Sequence, residues 1–405
     1  MSALLRVNGR RLLDHLLAQG QIGWVEGLGL DRDAYSPAYQ EARKFARACM
    51  EAAGMTTRAD SVGNLFGLLP GSDSGAPRIL AGSHLDAVRG GGIYDGAYGV
   101  FAAIEAAHSL REQGIRLRRG LEAVAFIGEE GGPLGGTFGS RALCGLVREL
   151  PAPAVLAERG LSAGDIAAAK AAPHAYACYL EAHIEQGPML ERRGLDIGIP
   201  TGIVGIARYR CRVHGEANHA GTTPMAERKD ALYAGIHAID SWLRFMGREP
   251  EMVCNVAEIA IAPGQIGVVA GEFAFTVEIR SQRQQDTDRA VSRLRDILAD
   301  VPPCRAEMEL LVAKPAARLD PQLIALVDGC CQRMGVRYQQ MPSGASHDAS
   351  PLARTMPAAM IFVPSRLGIS HNPDEYTAPA ALVKGAEALL NTIAAIDALP
   401  ESDCP

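Results

Sequence analysis

"RILAGSHLDAV" (residues 78–88), "GVFAAIEAAHSLREQG" (99–114) and "LEAVAFIGEE" (121–130) follow one another in the chain and decide its fold. The first and third are apolar runs of strand length. The second repeats its apolar positions at helical spacing and stops at Gly114, a residue suited to ending a helix. Strand, helix, strand is the unit of an α/β layer architecture. In open α/β sheets ligands gather beyond the carboxyl ends of the strands. Both strands end there in chemically capable residues: His84 and Asp86 on the first, Glu129 and Glu130 on the second.

The connecting stretch "GSHLDAVRGGGIYDG" (82–96) sets a histidine and two aspartates among glycines. Such a loop can cradle a phosphate or let a metal come close. It lacks both G-x-G-x-x-G and G-x-x-x-x-G-K-[ST], so a nucleotide is poorly supported. Candidate metal ligands are His84, Asp95, Glu130, His183 in "EAHIEQGP" and His371 in "GISHNPDEY". Imidazoles mixed with carboxylates suit Zn²⁺, Mn²⁺, Co²⁺ or Ni²⁺ better than Ca²⁺ or Mg²⁺. One aspartate can bridge two such ions about 3.5–4 Å apart, as in two-metal hydrolases. Asp86 is expected to accept from the ring N–H of His84 and so fix the tautomer that binds metal. Of the adjacent Glu129 and Glu130, one would serve as ligand and the other would take a proton from the attacking water. Any one of these residues alone could be a satisfied structural polar group. All of them at glycine-flanked strand ends point to a site.

Composition narrows the class. A hydrophobic fraction of 48% with 21% charged residues describes a globular enzyme rather than a disordered chain. The formal net charge of −6 lacks the basic excess that nucleic-acid binding needs, and no lysine or arginine block suggests a membrane surface. Nine cysteines, without a Cys-x-x-Cys pair, read as the usage of a reducing compartment. The N-terminal "MSALLRVNGRRLLDHLLAQG" reads as an amphipathic helix and not a signal peptide, so the expected location is cytoplasmic.

The pattern changes between about 207 and 316. "ARYRCRVHGEA" alternates like a half-buried strand, and "KDALYAGIHAIDSWLRFMG" is an amphipathic helix. "MVCNVAEIAIAPG" and "GEFAFTVEIR" read as strands and "DTDRAVSRLRDILADV" as a second helix. This β-α-β-β-α order predicts a small α+β domain, 207–316, inserted into an α/β domain formed by 1–206 and 317–405. The α/β pattern resumes at "DPQLIALVDGCCQRMG", where Asp320 can cap a helix begun by Pro321.

The stretches "GSHLDAVRGGGIYDGAYGV", "FIGEEGG", "GSRAL", "EAHIEQGPMLE", "GEANHAGTTPM", "SGASHDA" and "VPSRLGISHNPDEY" together resemble the metal-dependent amidases of the hydantoinase/carbamoylase group, within the M20 metallopeptidase clan. That group includes N-carbamoyl-L-amino-acid hydrolases, allantoate amidohydrolases and β-ureidopropionases. The resemblance implies a di-metal α/β hydrolase domain with an inserted α+β lid that also forms a homodimer. It implies two divalent ions per subunit, Zn²⁺ or Mn²⁺ with Co²⁺ or Ni²⁺ possible. His84, Asp95 and His183 would hold one ion, and Asp95 would bridge to a second held by Glu130 and His371. Glu129 would be the general base, with Asp86 supporting His84. Gln186 would contact substrate, and the lid residue His219 would approach the reacting group, in the partner subunit's site. Arg280 in "VEIR" would bind the substrate carboxylate, for which a planar guanidinium is suited.

Two positions depart from the group's pattern. Gly267 in "GVVAG" stands where an asparagine is usual, and Ser346 stands where "GAGHDA" would have glycine. The expected activity is hydrolysis of a linear amide or ureido C–N bond in a small carboxylate-bearing substrate, with specificity altered at Gly267. A dipeptidase or N-acyl-amino-acid hydrolase of the same clan, or a catalytically silent binding protein, are the competing readings.

Overall fold

A computed structural model describes residues 4–400. The chain opens with α1 (Gly9–Gly20), β1 (Trp24–Val25), β2 (Gly29–Arg32) and α2 (Pro37–Ala52). Two antiparallel strands, β3 (Thr56–Ala59) and β4 (Leu65–Leu69), lead to β5 (Arg78–His84), β6 (Ala87–Gly91) and α3 (Ala97–Glu112). Strand β7 (Leu121–Phe126) precedes three short helices, α4 (Phe138–Leu143), α5 (Pro153–Ala157) and α6 (Ala163–Ala168). Next come β8 (Tyr176–Ile184), α7 (Met189–Arg193) and β9 (Ile197–Ile203). The middle of the chain forms β10 (Gly205–His214), α8 (Ala231–Met246), β11 (Met252–Ala262), β12 (Glu272–Ser281), α9 (Gln284–Ala299) and β13 (Arg305–Lys314). The last part holds β14 (Ala317–Arg318), α10 (Pro321–Met334), β15 (Tyr338–Ser343), α11 (Ala349–Leu352), β16 (Ala358–Val363) and α12 (Pro379–Asp397).

These elements make two compact units, one of residues 202–317 and one of the remainder. The larger unit is built on a nine-stranded sheet in the order β14-β9-β16-β8-β5-β7-β4-β3, with β15 pairing β9. Its centre, β16-β8-β5-β7, is parallel. Those four strands are buried along almost their whole length, because a parallel sheet is covered on both faces. The near-continuous apolar runs "AVAF" and "AAMIFV" follow from that burial. Helix α3 is buried on nearly every side, and so is most of α12. Among the described residues α12 alone is long and apolar enough to cross a membrane, and here it is a core helix. Asp320 caps α10 through the amides of Gln322 and Leu323, with Pro321 in the first turn.

The strand expected over 78–88 is two strands. β5 stops at His84, and β6 turns away to pair with β2 in a separate three-stranded sheet, β1-β2-β6. The strand expected over 121–130 stops at Phe126.

The smaller unit is a four-stranded antiparallel sheet, β11-β12-β10-β13, with α8 and α9 packed on it. Its core gathers Trp242, Phe273, Phe275, Val277 and Leu294. Strand β13, "RAEMELLVAK", extends the expected β-α-β-β-α order by one strand.

Candidate metal centre

Strands β5 and β8 are parallel neighbours, and each carries a histidine at its carboxyl end. The two rings, His84 and His183, have centroids 5.9 Å apart and are buried. Nδ1 of His84 lies 3.0 Å from the main-chain oxygen of Asp86, and Nδ1 of His183 lies 2.9 Å from that of Ile184. A carbonyl can only accept, so both protons sit on Nδ1 and both Nε2 lone pairs point into the cleft.

Asp95 spans two groups of donors. Its Oδ1 is 3.2 Å from His183 Nε2, and its Oδ2 is 3.1 Å from His371 Nε2. His371 Nε2 is also 3.3 Å from Glu130 Oε2. Possible ligand atoms of His84, Asp95 and His183 lie within 4.8 Å of one another, and those of Asp95, Glu130 and His371 do so too. The structure therefore brings all five expected ligand candidates into two clusters sharing one carboxylate.

The donor chemistry fits divalent cations. Asp95 Oδ1 and Glu130 Oε1 are buried without a hydrogen-bond partner, which is uncommon for native polar atoms. Burial, then the charges of Glu130, Asp348, Asp86 and Asp95, push the Glu129 carboxyl well above the usual carboxylate range. Burial followed by Asp95 and Asp86 does the same to Glu130. Burial alone would raise Asp95, yet the imidazoles of His183, His371 and His84 around it hold it well below that range. The cleft thus concentrates negative charge that cations would neutralise.

The glycine-rich loop is permissive for steric reasons. Gly96 opens α3 at φ +64°, and a Cβ there would lie 2.3 Å from Cε1 of the His84 ring. A Cβ on Gly92 would lie 2.3 Å from Glu375. Only hydrogen fits at either place while Asp95 stays close to the histidines.

Asp86 does not act as expected. Its main-chain oxygen, not its carboxylate, takes the bond from His84, and its Oδ1 is 4.0 Å from Nδ1. The carboxylate instead accepts from the amides of Gly128 (2.9 Å), Glu129 (3.3 Å) and Glu130 (3.1 Å). Three amides outcompete one imidazole and tie the loop bearing Glu129 and Glu130 to the His84 turn. Glu129 Oε2 stands 4.0 Å from His84 Nε2.

Gln186, at φ +56°, donates from Nε2 to Asp95 Oδ2 at 3.0 Å. Ser346 is half-buried and has no side-chain hydrogen bond among the described residues. Its neighbour His347 instead packs edge-on against His183, with centroids 4.5 Å apart.

Glu375 and Glu181 are among the buried acids that escaped the sequence reading. Glu375 accepts from the amides of Tyr94 (2.9 Å) and Asp95 (3.1 Å) and from Ser370 Oγ (2.8 Å), so one side chain fixes both the Asp95 and His371 loops. Burial, with Asp95 next, raises its carboxyl to about 7. Glu181 accepts from Ser83 Oγ (2.6 Å) and the Ala349 amide (2.8 Å) beneath the histidines. The available signal was an acid spaced by two or four residues from a candidate ligand histidine.

His219 and Arg280 belong to the smaller unit. His219 Nδ1 accepts from the amides of Gly221 (3.0 Å) and Thr222 (3.2 Å), which leaves Nε2–H as an exposed donor. Arg280, on β12, donates from Nε to Glu278 at 2.7 Å, and Glu278 also accepts from Arg208. Gly267 is tied to the His219 loop, its oxygen accepting from the Ala220 amide at 2.9 Å.

A parallel-centred sheet with imidazoles and carboxylates clustered at its strand ends defines the class: a metal-dependent hydrolase of two-unit build. The chain belongs to peptidase family M20/M25/M40, whose family model matches residues 80–395. It is 34% identical over 389 residues to an N-carbamoyl-L-amino-acid amidohydrolase of Paenarthrobacter aurescens, covering 92% of this chain and 94% of that one. It is also 34% identical to an allantoate amidohydrolase of Bacillus subtilis, over 94% and 96% of the two chains. A solved hydantoinase/carbamoylase family amidase from Burkholderia ambifaria superposes with a TM-score of 0.87 at 33% identity, over 97% and 98%.

Proposed function

We propose that this chain is a metal-dependent amidohydrolase that cleaves a linear amide or ureido C–N bond in a small carboxylate-bearing substrate, such as an N-carbamoyl amino acid or an allantoate-like ureido acid. The observation that carries the reading is Asp95, whose two oxygens face two separate groups of imidazole and carboxylate donors. His84, Asp95 and His183 would hold one ion, and Asp95, Glu130 and His371 a second, Zn²⁺ or Mn²⁺ with Co²⁺ or Ni²⁺ as other candidates. When bound, such ions polarise the scissile carbonyl and lower the pKa of water. Glu129 would take the proton of the attacking water and pass it to the leaving nitrogen. Arg280 would receive the substrate carboxylate, while Gln186 and Ser346 would line the substrate's place. The exposed Nε2–H of His219 suits an oxyanion. From an N-carbamoyl amino acid and one water, the products are ammonia, CO₂ and the free amino acid.

The proposed assembly is a homodimer through the smaller unit. Tyr233, Ile236 and Leu243 leave an apolar stripe exposed on α8, and β11 is a sheet edge carrying the exposed Val253 and Ile259. An unpaired edge beside an apolar stripe is a surface that a second copy can cover. The expected compartment is the cytoplasm, which suits the free buried thiols of Cys330 and Cys331.

The test is an ammonia-release screen across allantoate, ureidoglycolate, N-carbamoyl-α- and -β-amino acids and formyl or acetyl amino acids, with dipeptides assayed beside them. At least one ureido acid should be turned over, activity should vanish on exhaustive chelation, and Mn²⁺ or Zn²⁺ should restore it. Turnover untouched by chelation overturns the metal mechanism, and cleavage of dipeptides alone moves the chain to the peptidases.

A further inference from the structure

Arg32, on β2, is wholly buried, although nothing in the proposed reaction uses it. Its Nε donates to the main-chain oxygen of Leu85 at 2.7 Å. Its Nη1 donates to the oxygens of Gln19 (3.0 Å) and Ile22 (3.2 Å), at the carboxyl end of α1, where the helix dipole is negative. Leu85 is the single residue between His84 and Asp86. Holding its carbonyl fixes the peptide plane that leads into Asp86. The Asp86 oxygen then meets Nδ1 of His84, and the Asp86 carboxylate meets the amides of residues 128–130. Pairing of Arg32 with Ala87 pins the far side of the same turn.

Burying a guanidinium is costly, and an apolar side chain of like volume usually packs there at no loss of stability. A methionine could not grip three carbonyls, and a lysine has no planar fork with which to do so. The nearby Asp86 carboxylate offsets the charge, and Arg32 stays cationic at neutral pH with its pKa lowered, chiefly by burial, to about 10. The residue also lies upstream of the 80–395 stretch that defines the family.

We infer that Arg32 is a positioning residue of the cation site: it holds the 84–86 turn so that His84 presents Nε2 to the first ion and the amides of Glu129 and Glu130 stay anchored on Asp86. The inference rests on reading His84 as a ligand. Outer contacts of this kind change metal affinity by about 10- to 100-fold.

The experiment measures Zn²⁺ stoichiometry and Kd, by competition with a chromophoric chelator, for the wild type, His84→Ala, Arg32→Lys and Arg32→Met. Circular dichroism and melting of the metal-free proteins are recorded in parallel. Arg32→Met should weaken Zn²⁺ by at least about tenfold while its metal-free spectrum is unchanged, with Arg32→Lys weakened less. A lowered melting temperature with a wild-type Kd makes Arg32 merely structural and overturns the inference. If Arg32→Met fails to fold, Arg32→Lys decides, and a wild-type Kd in it is equally fatal. Unaltered Zn²⁺ binding in His84→Ala instead sinks the ligand assignment, so the two failures are distinguishable.

Discussion

Gly267 faces open space: a Cβ built there meets no atom within 4 Å, and its backbone is outside the left-handed region. An asparagine, usual at this position in the carbamoylase group, can therefore be introduced without strain beside the His219 loop. Gly267→Asn should leave the melting curve unchanged and raise kcat/KM for N-carbamoyl amino acids about tenfold, the worth of one hydrogen bond of roughly 1.4 kcal/mol. An unchanged kcat/KM across the substrate panel would remove Gly267 as a determinant of specificity. High wild-type turnover of allantoate would likewise show that nothing was lost there. The ligand candidates were legible because polar side chains stood out at the ends of apolar runs. Asp86 was misread because its true partners are amides 42 to 44 residues away, and local spacing favours the nearer imidazole. Arg32 left no trace: the stretch "LDRDA" has no apolar pattern to mark it as buried. Glu375 lay inside the quoted "HNPDEY", but its partners Tyr94 and Asp95 come from a distant loop.

Helices and central strands were legible because burial imposes period: all-round burial on β5, β7, β8 and β16, one-sided burial on α8 and α9. Strand β13 was missed because it is an edge strand without a fully buried residue, and its alternation, present over "RAEME", breaks down at "LLVAK". The break after His84 was missed because "HLDAV" stays apolar enough to continue a strand, and only pairing with β2 turns it aside. At this scale the sharpest prediction concerns Gly82, in the middle of β5. A Cβ there would lie 1.9 Å from the Val124 oxygen of β7, a backbone atom that cannot step aside without parting the two strands. Gly82→Ala should cost on the order of 3 kcal/mol in denaturant unfolding and lower the metal content with it, since β5 carries His84. Wild-type stability in that variant would mean that the β5–β7 spacing is looser than the structure has it.

Across the whole molecule, the inserted unit was legible because alternation with polar outward positions replaces the continuous apolar runs on either side. How the units would cooperate depends on the proposed dimer. If the partner's His219 completes each site, two separately inactive proteins should rescue one another. His219→Ala keeps an intact Glu129, and Glu129→Gln keeps an intact His219, so mixed dimers contain one site with both groups. Random exchange makes about half the dimers mixed and about a quarter of all sites complete, so activity should recover towards a quarter of the wild-type value. No recovery, with subunit exchange verified by differently tagged chains, would put His219 to work within its own subunit. Replacing Ile236 on the α8 stripe with aspartate supplies the companion measurement. Sedimentation should show a monomer, and turnover should fall with dimer content while bound metal per chain stays constant, because the ligand candidates all come from the larger unit.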